Sequence, residues 1–512
     1  MTKIIIKTIK ELQIWKESLN NNISFVPTMG NLHKGHLKLI EEANKQKSNT
    51  ILVSIFINRL QFNNKKDFQY YPKSLSKDIE LAFKSGADAI FVPSEKEIFP
   101  RQEQSILYVK ASENLSSTLC GIKRIGHFDG VCTVVYRLIT LIEPNIILLG
   151  EKDWQQLLIL KEMAKEKKLN IQFKSIGTVR DFDGVPLSSR NNFLSQSERE
   201  TMKLFSQALL NSQKIFHERE KPGIDKLISK LKESNSSIEY LELVNAFNLQ
   251  KTNSRNNIYL LAGAIICGET RLIDHVFLMK RKPIIAIDGP AGSGKSTVTK
   301  LIAKKLNLVY LDTGAMYRAL SWYILQEKIN YSNTSNLEKT LKNISIEFKS
   351  NDEFSQDIYV NNQNVTKFIR SQKINSVVAS IAAIPEIREF LVREQRKFGD
   401  FGGLVAEGRD IGTQVFPDAE LKIFLTASID ERAKRRKLEL ENNGNLKINF
   451  EELRDQIRER DLTDSNRKIS PLKKAKDAIE INTDGYSIDA IVKKIVNLYD
   501  EKIPEELKRI LK

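Results

Sequence analysis

The stretch VPTMGNLHKGHLKLI, which runs from Val26 to Ile40, places two histidines three residues apart in a glycine-containing turn. The apolar run ISFV overlaps its start, and the residues after the turn have the apolar spacing of a helix at Leu37, Ile40 and Ala43. The predicted order is therefore strand, tight loop and helix. The start of such a helix offers free backbone N–H groups and the positive end of its dipole to an anion.

The composition is that of a globular protein. The chain has 512 residues, 41% hydrophobic and 28% charged, which suits two to four domains. No apolar stretch approaches the roughly 20 residues needed to cross a bilayer, and the N-terminus lacks a signal-peptide cleavage pattern. We therefore expect a soluble cytoplasmic protein. The cysteines Cys120, Cys132 and Cys267 have no CxxC spacing and are predicted to be reduced structural thiols.

The formal net charge of +16 is compatible with two kinds of partner. Basic surfaces bind nucleic acid, but basic clefts also collect polyanionic nucleotides. The sequence shows no arginine-rich arm and no aromatic RNA-binding motif. Charge alone therefore does not favour nucleic acid over small phosphorylated ligands.

In the first half, continuous apolar runs alternate with helical stretches. Such runs predict parallel strands buried on both faces, and the alternation predicts a Rossmann-like, doubly wound α/β sheet. The predicted strands are 23–26, 51–57, 88–92, 145–149 and 171–179. After about residue 190, amphipathic helices and the runs 238–245 and 257–266 predict a smaller α+β domain.

The segment HVFLMKRKP ends in a basic cluster and a proline at 280–283, and a second α/β unit begins after it. Five runs predict its parallel sheet, and the alternating segment 344–366 predicts a small β insert. The five predicted strands are 284–288, 308–312, 403–408, 421–428 and 478–484. We therefore predict domains at 1–186, 187–279 and 280–512.

A phosphate-binding loop opens this second unit. GPAGSGKS, from Gly289 to Ser296, matches GxxxxGK[ST] after a strand and before a helix. Its backbone N–H groups are predicted to bind phosphate oxygens. Lys295 is the predicted catalytic residue at the β- and γ-phosphates, and the Ser296 hydroxyl is predicted to ligate Mg²⁺. The predicted ATP-binding residues are Gly289, Gly292, Ser293, Gly294, Lys295, Ser296 and Thr297.

Four further segments narrow the acceptor of the phosphate. They are LDTGAMYRAL from 311, IREFLVREQRKF from 387, AEGRDIGTQVFPDAELKIFL from 406 and RERDLTDSNRKISPL from 458. With the phosphate loop, they resemble the bacterial-type cytidylate kinases across essentially all of 283–512. The resemblance implies ATP-dependent phosphorylation of CMP or dCMP by a P-loop nucleoside monophosphate kinase.

The resemblance also implies residues that contact CMP or the transferring phosphates. They are Thr313, Arg318, Arg388, Arg409, Asp410, Arg460, Asp464 and Arg467. Arginines suit this role because their planar forks match phosphate and neutralise its charge. Asp410 and Asp464 have two open roles, which are hydrogen bonding to the nucleoside and ion pairing with an arginine. Glu407 lies where the family has a strand-end acid that holds Mg²⁺ through water.

In the first half, His33 and His36 also have two open roles. HxxH spacing is compatible with a metal ion, although no third ligand lies nearby in the sequence. The alternative is a grip on phosphate by both rings and the helix N-terminus, where charge grows as pyrophosphate departs. HxGH after a first strand, with LSSR at 187–190, resembles the HIGH and KMSKS signatures of the class I aminoacyl-tRNA synthetase superfamily.

Longer motifs are more specific. VPTMGNLHKGHLKLI, SIFINRLQF, GHFDGVCTVV, LLGEKDWQQL and VRDFDGVPLSSRNNFL resemble, in this order, the pantothenate synthetase (pantoate–β-alanine ligase) family over roughly 1–280. The resemblance implies ATP-dependent condensation of pantoate with β-alanine through pantoyl adenylate, with release of AMP and pyrophosphate. Both steps build negative charge on phosphate, so cations and donors should dominate over a nucleophilic side chain.

The family positions imply specific roles. The implied catalytic residues are His36 as the favoured general acid, His33, Lys152 at the α-phosphate, and Arg190. The implied ATP-binding residues are Met29, Gly30, Asn31, Leu32, His33, Lys34, Gly35, His36, Gly150, Glu151, Lys152, Asp153, Val179, Leu187, Ser188, Ser189 and Arg190. Gln61 and Gln156 are implied for pantoate and β-alanine, Val179 for adenine through its backbone, and Asp153 for Mg²⁺ or ribose.

Further positions either match the family motifs or depart from them. Asn58 and Arg124 also lie on motif positions, whereas His127 is expected to be structural. Arg59 and Ile125 replace prolines that the family tends to have, which frees backbone angles near the pantoate pocket. Leu187 replaces a usual methionine with similar volume.

The leading hypothesis is one polypeptide with two independent ATP-dependent, Mg²⁺-requiring enzymes. Its expected partners are small-molecule substrates, with no nucleic acid and no membrane, and a homodimer through the ligase half is expected. An alternative is an RNA-binding or tRNA-charging protein, although 190–280 is too short for an anticodon module. A third possibility is that one half is a catalytically inactive regulatory module.

Overall fold

The structure is a computed structural model that describes residues 3–45, 49–63, 68–100, 108–219, 236–251, 258–331, 334–350, 356–442, 449–467 and 469–510. The chain divides into two compact units, Met1–Lys280 with Pro504–Lys512, and Arg281–Ile503. The last nine residues therefore group with the first unit, although the predicted domain 280–512 placed them with the second. The predicted boundary at 186/187 stays a prediction.

Six parallel strands form the main sheet of the first unit. They are β1 (Ile4–Ile6), β2 (Ile23–Thr28), β3 (Thr50–Ile55), β4 (Ala89–Phe91), β5 (Ile146–Gly150) and β6 (Gln172–Ile176). The sheet order is β1-β4-β3-β2-β5-β6, so the chain winds outward in both directions from β2. This confirms the doubly wound α/β prediction. The sequence patterns missed β1, because a run of three apolar residues is too short to distinguish strand from helix.

Helices connect these strands. They are α1 (Ile9–Glu17), α2 (Lys34–Asn44), α3 (Leu75–Lys84), α4 (Glu95–Ile98), α5 (Glu113–Ser116), α6 (Cys120–Lys123), α7 (His127–Ile142) and α8 (Trp154–Glu166). Helix α2 follows β2 and α8 follows β5, so both helices begin at the carboxyl edge of the sheet. Ligands of open α/β sheets bind at this edge, next to the point where the strand order reverses.

A second, antiparallel sheet completes the first unit. Helix α9 (Gln196–Arg219) precedes β7 (Ser236–Asn245), β8 (Ile258–Cys267) and β9 (Thr270–Met279), which pair in chain order. Phe205 of α9 and Ile265 of β8 belong to one buried core. The α+β prediction is confirmed, and HVFLM forms the end of β9, directly before the predicted boundary near 280–283.

The second unit has a five-stranded parallel sheet of order β11-β15-β10-β16-β17 and an antiparallel insert, β12-β13-β14. This confirms the five predicted strands and the β insert. The elements are β10 (Ile284–Asp288), α10 (Lys295–Leu306), β11 (Val309–Asp312), α11 (Thr313–Gln326), α12 (Thr334–Lys342), β12 (Ile346–Ser350), β13 (Gln356–Val360), β14 (Gln363–Asn364), α13 (Gln372–Ile381), α14 (Pro385–Gly399), β15 (Leu404–Gly408), β16 (Leu421–Thr426), α15 (Ile429–Asn442), α16 (Phe450–Asn466), β17 (Ile479–Asn482) and α17 (Ile488–Lys502).

The last element in the described ranges is a short helix, α18 (Glu505–Ile510). Its residue Leu507 is 1% exposed. Cys120, Cys132 and Cys267 are buried and free. Among the helices in the described ranges, none has the length and apolar character of a membrane span.

Candidate active sites

A cavity of about 290 Å³ opens at the carboxyl edge of the first unit's main sheet. It brings together residues from five separate motifs of the sequence. The predicted site residues that line it are Met29, His33, Gly35, His36, Gln61, Gly150, Lys152, Asp153, Gln156, Val179, Leu187, Ser188, Ser189 and Arg190. Asn58 and Arg124 line it as well. The predicted residues Gly30, Asn31, Leu32, Lys34 and Glu151 are not part of this lining.

A buried carboxylate holds the loop before α2 in place. Asp78, on α3, accepts hydrogen bonds from the backbone N–H groups of Asn31 and Leu32, both at 2.8 Å. Gly30 has a φ of +83°, and a Cβ there would lie 3.1 Å from Asp78 Oδ2. Glycine therefore permits both the left-handed turn and the close approach of the carboxylate. Sequence reasoning missed Asp78, which has no motif of its own.

The two histidines cap the start of α2. His33 Nδ1 accepts from the Gly35 N–H at 3.1 Å, and His36 Nδ1 accepts from the His33 N–H at 3.4 Å. The ring centroids are 4.1 Å apart. Burial and Lys152 lower the pKa of His33 to about 4, and burial and His33 lower the pKa of His36 to about 3. Both rings are therefore neutral at pH 7, with the proton on Nε2.

This arrangement changes what the histidines can do. A neutral imidazole with Nδ1 already occupied offers one N–H donor, at Nε2, to a ligand in the cavity. At neutral pH, His36 of the free protein is not an imidazolium and therefore cannot act as a general acid. The predicted general-acid role therefore requires a bound anion to raise its pKa first.

Charged groups face the histidines across the cavity. Lys152 Nζ lies 3.5 Å from Asp153 Oδ1. Burial raises the pKa of Asp153, but Lys152 and Arg190 lower it more, so the carboxylate is ionised at neutral pH. Tyr71 also lines the cavity, and burial raises its pKa. Tyr71 lies outside every motif recognised in the sequence.

A hydrogen-bond network positions Gln61. Asn58 Nδ2 donates to Gln61 Oε1 at 3.1 Å and to the Gly130 carbonyl at 3.0 Å. His127 Nδ1 is 2.6 Å from the Gln61 carbonyl, and its Nε2 is 2.8 Å from Arg124 Nη1. Since the guanidinium can only donate, the neutral ring donates from Nδ1. His127 is therefore engaged on both nitrogens, as expected of a structural histidine.

Of two predicted nucleotide contacts, Glu151 lies outside the cavity lining and Val179 lies within it. The Glu151 side chain is fully buried and accepts from Ser175 Oγ at 2.7 Å, so it does not face the cavity. Val179 lines the cavity, but its carbonyl accepts from the Leu187 N–H at 2.9 Å. This bond joins the predicted adenine contact to the LSSR loop. Arg59, at the proline position, forms an exposed ion pair with Glu95 at 3.1 Å, and Ile125 is 85% exposed.

In the second unit, the phosphate loop connects β10 to α10. Lys295 is the first residue of α10, is 7% exposed, and donates from Nζ to the Pro290 carbonyl at 2.7 Å. Burial, and then Arg409, lower its pKa well below the usual range. Arg432 of α15 donates to the Ala291 carbonyl at 3.2 Å and thus braces the loop from outside.

Oxygen ligands converge beside this loop. Glu407 of β15 accepts from Ser296 Oγ at 2.9 Å and from the Tyr310 hydroxyl at 2.5 Å. Burial, and then Asp312, raise the pKa of Glu407. Hydroxyl and carboxylate oxygens are the ligands that Mg²⁺ prefers. Ser296 and Glu407 therefore fit the ligand chemistry that a magnesium ion would need here.

The predicted CMP-contacting residues form two ion-pair groups. Arg388 Nη2 donates to Asp410 Oδ2 at 2.7 Å, and both side chains are buried. Asp464 pairs with Arg409, whose Nε lies 2.9 Å from Oδ2, and with Arg467. Both carboxylates are thus paired with arginines in this structure, the second of their two open roles. Nucleoside contact by either one stays a prediction.

The remaining predicted residues surround these groups. The Thr313 hydroxyl donates to the Glu407 carbonyl at 2.7 Å. Arg318 contacts Asn375. Burial lowers the pKa of Arg318 and of Arg460, and Arg409 lowers both further. Arginines that repel one another in this way favour binding of an anion among them.

Asp288 was missed by sequence reasoning. It ends β10 directly before the loop and accepts from the Ile411 and Gly412 N–H groups at 2.8 and 2.7 Å. Burial raises its pKa to about 6. An acid at the end of the strand that precedes a phosphate loop was the available signal.

Among the residues that the structure describes, no group of three or more His, Cys, Asp or Glu side chains is arranged to hold a metal.

Comparison with known proteins agrees with the division of the chain into two units. The family model of pantoate-beta-alanine ligase matches residues 4–277, and that of cytidylate kinase matches residues 285–501. A bifunctional pantoate ligase/cytidylate kinase of Prochlorococcus marinus subsp. pastoris is 61% identical over 507 residues, 99% of each chain. The protein of the same name from Prochlorococcus marinus strain SARG is 47% identical over 513 residues, again 99% of each chain.

A solved pantothenate synthetase from Thermus thermophilus is 32% identical and matches 54% of this chain and 99% of its own, with a TM-score of 0.48. The family models and relatives give no support to the RNA-binding or tRNA-charging alternative. The names of the full-length relatives include both activities, and each half of this chain matches the family model of one activity. The chain belongs to the family of bifunctional pantoate ligase/cytidylate kinases.

Proposed function

We propose that the cavity of the first unit binds ATP and pantoate and forms pantoyl adenylate, which β-alanine then converts to pantothenate. The observation that carries this proposal is the convergence of His33, His36, Lys152 and Arg190 on one cavity. The pantoate carboxylate attacks the α-phosphorus and pyrophosphate leaves. The amine of β-alanine then attacks the acyl carbon, and AMP leaves.

The side chains around the cavity have distinct roles in this scheme. The Nε2–H groups of His33 and His36 donate to the triphosphate, and Lys152 neutralises charge at the α-phosphate. Arg190 and the serines of the LSSR loop cover the phosphates, while Gln61 and Gln156 hold pantoate. Asp153 is the residue that would hold Mg²⁺ here, because one carboxylate together with substrate phosphates suits this ion.

We propose that the second unit transfers the γ-phosphate of ATP to CMP or dCMP at the phosphate loop. Lys295 leaves the Pro290 carbonyl and binds the β- and γ-phosphates. Ser296 and Glu407 would hold Mg²⁺, which neutralises phosphate charge when bound. Arg318, Arg409, Arg460 and Arg467 stabilise the transferring group, because phosphoryl transfer depends mainly on positioning and charge.

Paired assays on the purified full chain test both halves. We expect AMP formation that requires pantoate and β-alanine, and ADP formation that requires CMP. Both should stop when EDTA removes Mg²⁺. ATP hydrolysis without these substrates, or adenylation of an amino acid with transfer to tRNA, would contradict the proposal.

The proposed assembly rests on the resemblance, and the proposed location rests on the sequence patterns described above. We propose a homodimer through the first unit and a cytoplasmic location. Light scattering should give twice the 58.6 kDa of the chain. A mass of one chain at micromolar concentration would contradict the dimer.

A further inference from the structure

The last residues of the chain lie outside both family matches, which end at residues 277 and 501. They nevertheless belong to the first unit, from Pro504 onward. Pro504 and Leu507 are buried, so the segment packs into this unit rather than extending into solvent. A segment that packs into a unit in this way needs a partner there for its polar groups.

That partner is the end of β6. Among the strands that the structure describes, β6 is at the edge of the main sheet and pairs with β5 alone. The next two residues, Gly177 and Thr178, are buried, and their N–H groups need acceptors. Glu505 Oε2 accepts from the Gly177 N–H at 2.5 Å, and Glu506 Oε1 accepts from the Thr178 N–H at 2.8 Å.

The contact is reciprocal. Glu151, which follows β5, accepts through Oε1 from the Glu505 N–H at 2.6 Å and through Oε2 from the Glu506 N–H at 3.0 Å. These are first-turn N–H groups of α18, which have no acceptor within the helix. Three carboxylates thus exchange hydrogen bonds with four backbone N–H groups. Burial raises the pKa of Glu151 and of Glu506, as expected for a site shielded from water.

Both ends of this clamp adjoin the nucleotide cavity. Gly150 and Lys152, on either side of Glu151, line the cavity, and so do Gly177, Thr178 and Val179. The clamp therefore fixes the positions of two strand ends that form one wall. If the proposed function is right, adenine binds against this wall.

We propose that the C-terminal segment Pro504–Leu507 is a positioning element of the ligase active site, which holds the 177–179 turn in the conformation that binds the adenine of ATP. Glu505 and Glu506 are positioning residues, since their carboxylates bind the turn and not the substrate. The ligase unit is thus completed by residues that the chain supplies only after the whole kinase unit.

Two variants of the full chain test this. Replacing both glutamates, Glu505→Ala with Glu506→Ala, removes the two acceptors and should raise the ligase KM for ATP roughly five- to tenfold. The pair Glu505→Gln with Glu506→Gln keeps an acceptor oxygen at each position and should recover most of the wild-type KM. The KM for pantoate and the CMP kinase activity should stay unchanged in both. Asp489→Asn, an exposed carboxylate on α17, controls for loss of charge.

A chain that ends at Ile503 should show the same selective rise in the KM for ATP, and a synthetic peptide of residues 504–512 should lower it again. An unchanged KM for ATP in the alanine pair would overturn the proposal, as would higher ligase activity on truncation. Equal loss in the alanine and glutamine pairs would also overturn it. Failure of the proposed function gives a different pattern, namely no pantoate-dependent AMP formation even in the intact chain.

Discussion

The protonation of His33 and His36 decides what these side chains can do in the ligase site. Both lie where a triphosphate is predicted, yet burial keeps both rings neutral at pH 7. Because each Nδ1 is an acceptor for a backbone N–H, the rings present Nε2–H groups. A fixed donor in a partly buried site stabilises growing negative charge without a proton transfer.

His36→Ala should therefore lower the ligase kcat about 100-fold, the usual effect of removing one donor to a developing charge. His36→Gln should lose less, since its amide can still donate. Pantoate-dependent AMP formation measures both. Glu41→Gln, on the exposed face of the same helix, should behave as wild type. Equal loss in the alanine and glutamine variants would argue for a proton-transfer role instead.

Lys295 has the corresponding position in the kinase unit. It is buried, and its Nζ donates to a loop carbonyl that a bound phosphate can replace as the acceptor. Lys295→Ala should lower CMP kinase kcat at least about 100-fold, because the charge at the transferred phosphate is no longer neutralised. Ligase activity, measured on the same preparation, should not change. Loss of both activities would contradict the independence of the two units.

At the scale of elements, one close contact between a helix and a turn sets the position of a substrate-binding residue. Helix α7 crosses the turn Arg59–Gln61 at Gly130, where a Cβ would lie 2.3 Å from the Leu60 carbonyl oxygen and 2.9 Å from the Gln61 nitrogen. Both are backbone atoms, so the turn itself would have to move. Only glycine permits the helix to approach this closely.

Gly130→Ala should displace Gln61 and lower the ligase kcat/KM for pantoate about tenfold, since small misplacements near reacting groups are costly. In a helix without such a contact, the same change stabilises by about 0.5–1 kcal/mol. A variant with unchanged pantoate kinetics and a higher melting temperature would therefore contradict the proposed constraint. The kinase activity of the same chain is the internal control.

Most elements could be predicted from the sequence because their signals are local. The runs ISFV and IIAID are long enough to indicate buried strands, and glycine-containing turns follow both. Strand β1 lacked this length. Strand β6 ends at Ile176 rather than at the predicted residue 179, because the N–H groups after it bind α18 instead of continuing the ladder.

For the whole molecule, the distribution of histidines separates the two units. All five histidines lie before residue 280, in the first unit. Burial is the largest cause that lowers the pKa of His33, His36, His127 and His275, to values of about 3 to 4. In the second unit, burial raises the pKa of Asp288 to about 6.

These shifts have opposite consequences for stability. The unfolded chain protonates histidine below about pH 6.5, whereas the folded rings stay neutral, so their contribution is present above pH 6.5 and is lost as the pH falls towards 4. Asp288 binds its proton more readily when folded, so its contribution is lost as the pH rises through about 6. Acidification from pH 7 to 5 therefore removes the histidine contribution from the first unit, where the raised pKa values of Glu151 and Glu506 act in the opposite direction, and it favours Asp288 in the second.

Ligase activity should accordingly be lost before kinase activity when the protein is held at pH 5 and returned to pH 7.5. Residual AMP and ADP formation, measured over time, gives the two inactivation rates. The variant His275→Asn removes a buried titrating ring and should bring the ligase and kinase inactivation rates closer together. Faster loss of kinase activity than of ligase activity would contradict this assignment of acid sensitivity.

The sequence by itself determined the two α/β units, the two phosphate-binding loops and most of the side chains around them. Those features are local, since a strand, a turn and the start of a helix are adjacent in the chain. Only the tertiary structure decided which groups hold the loops. Asp78 bonds Leu32 over 46 residues, Tyr310 bonds Glu407 over 97, and Glu505 bonds Glu151 over 354. A carboxylate in one element and its N–H or hydroxyl donor in another leave no periodic pattern in the chain, so folding alone brings them together.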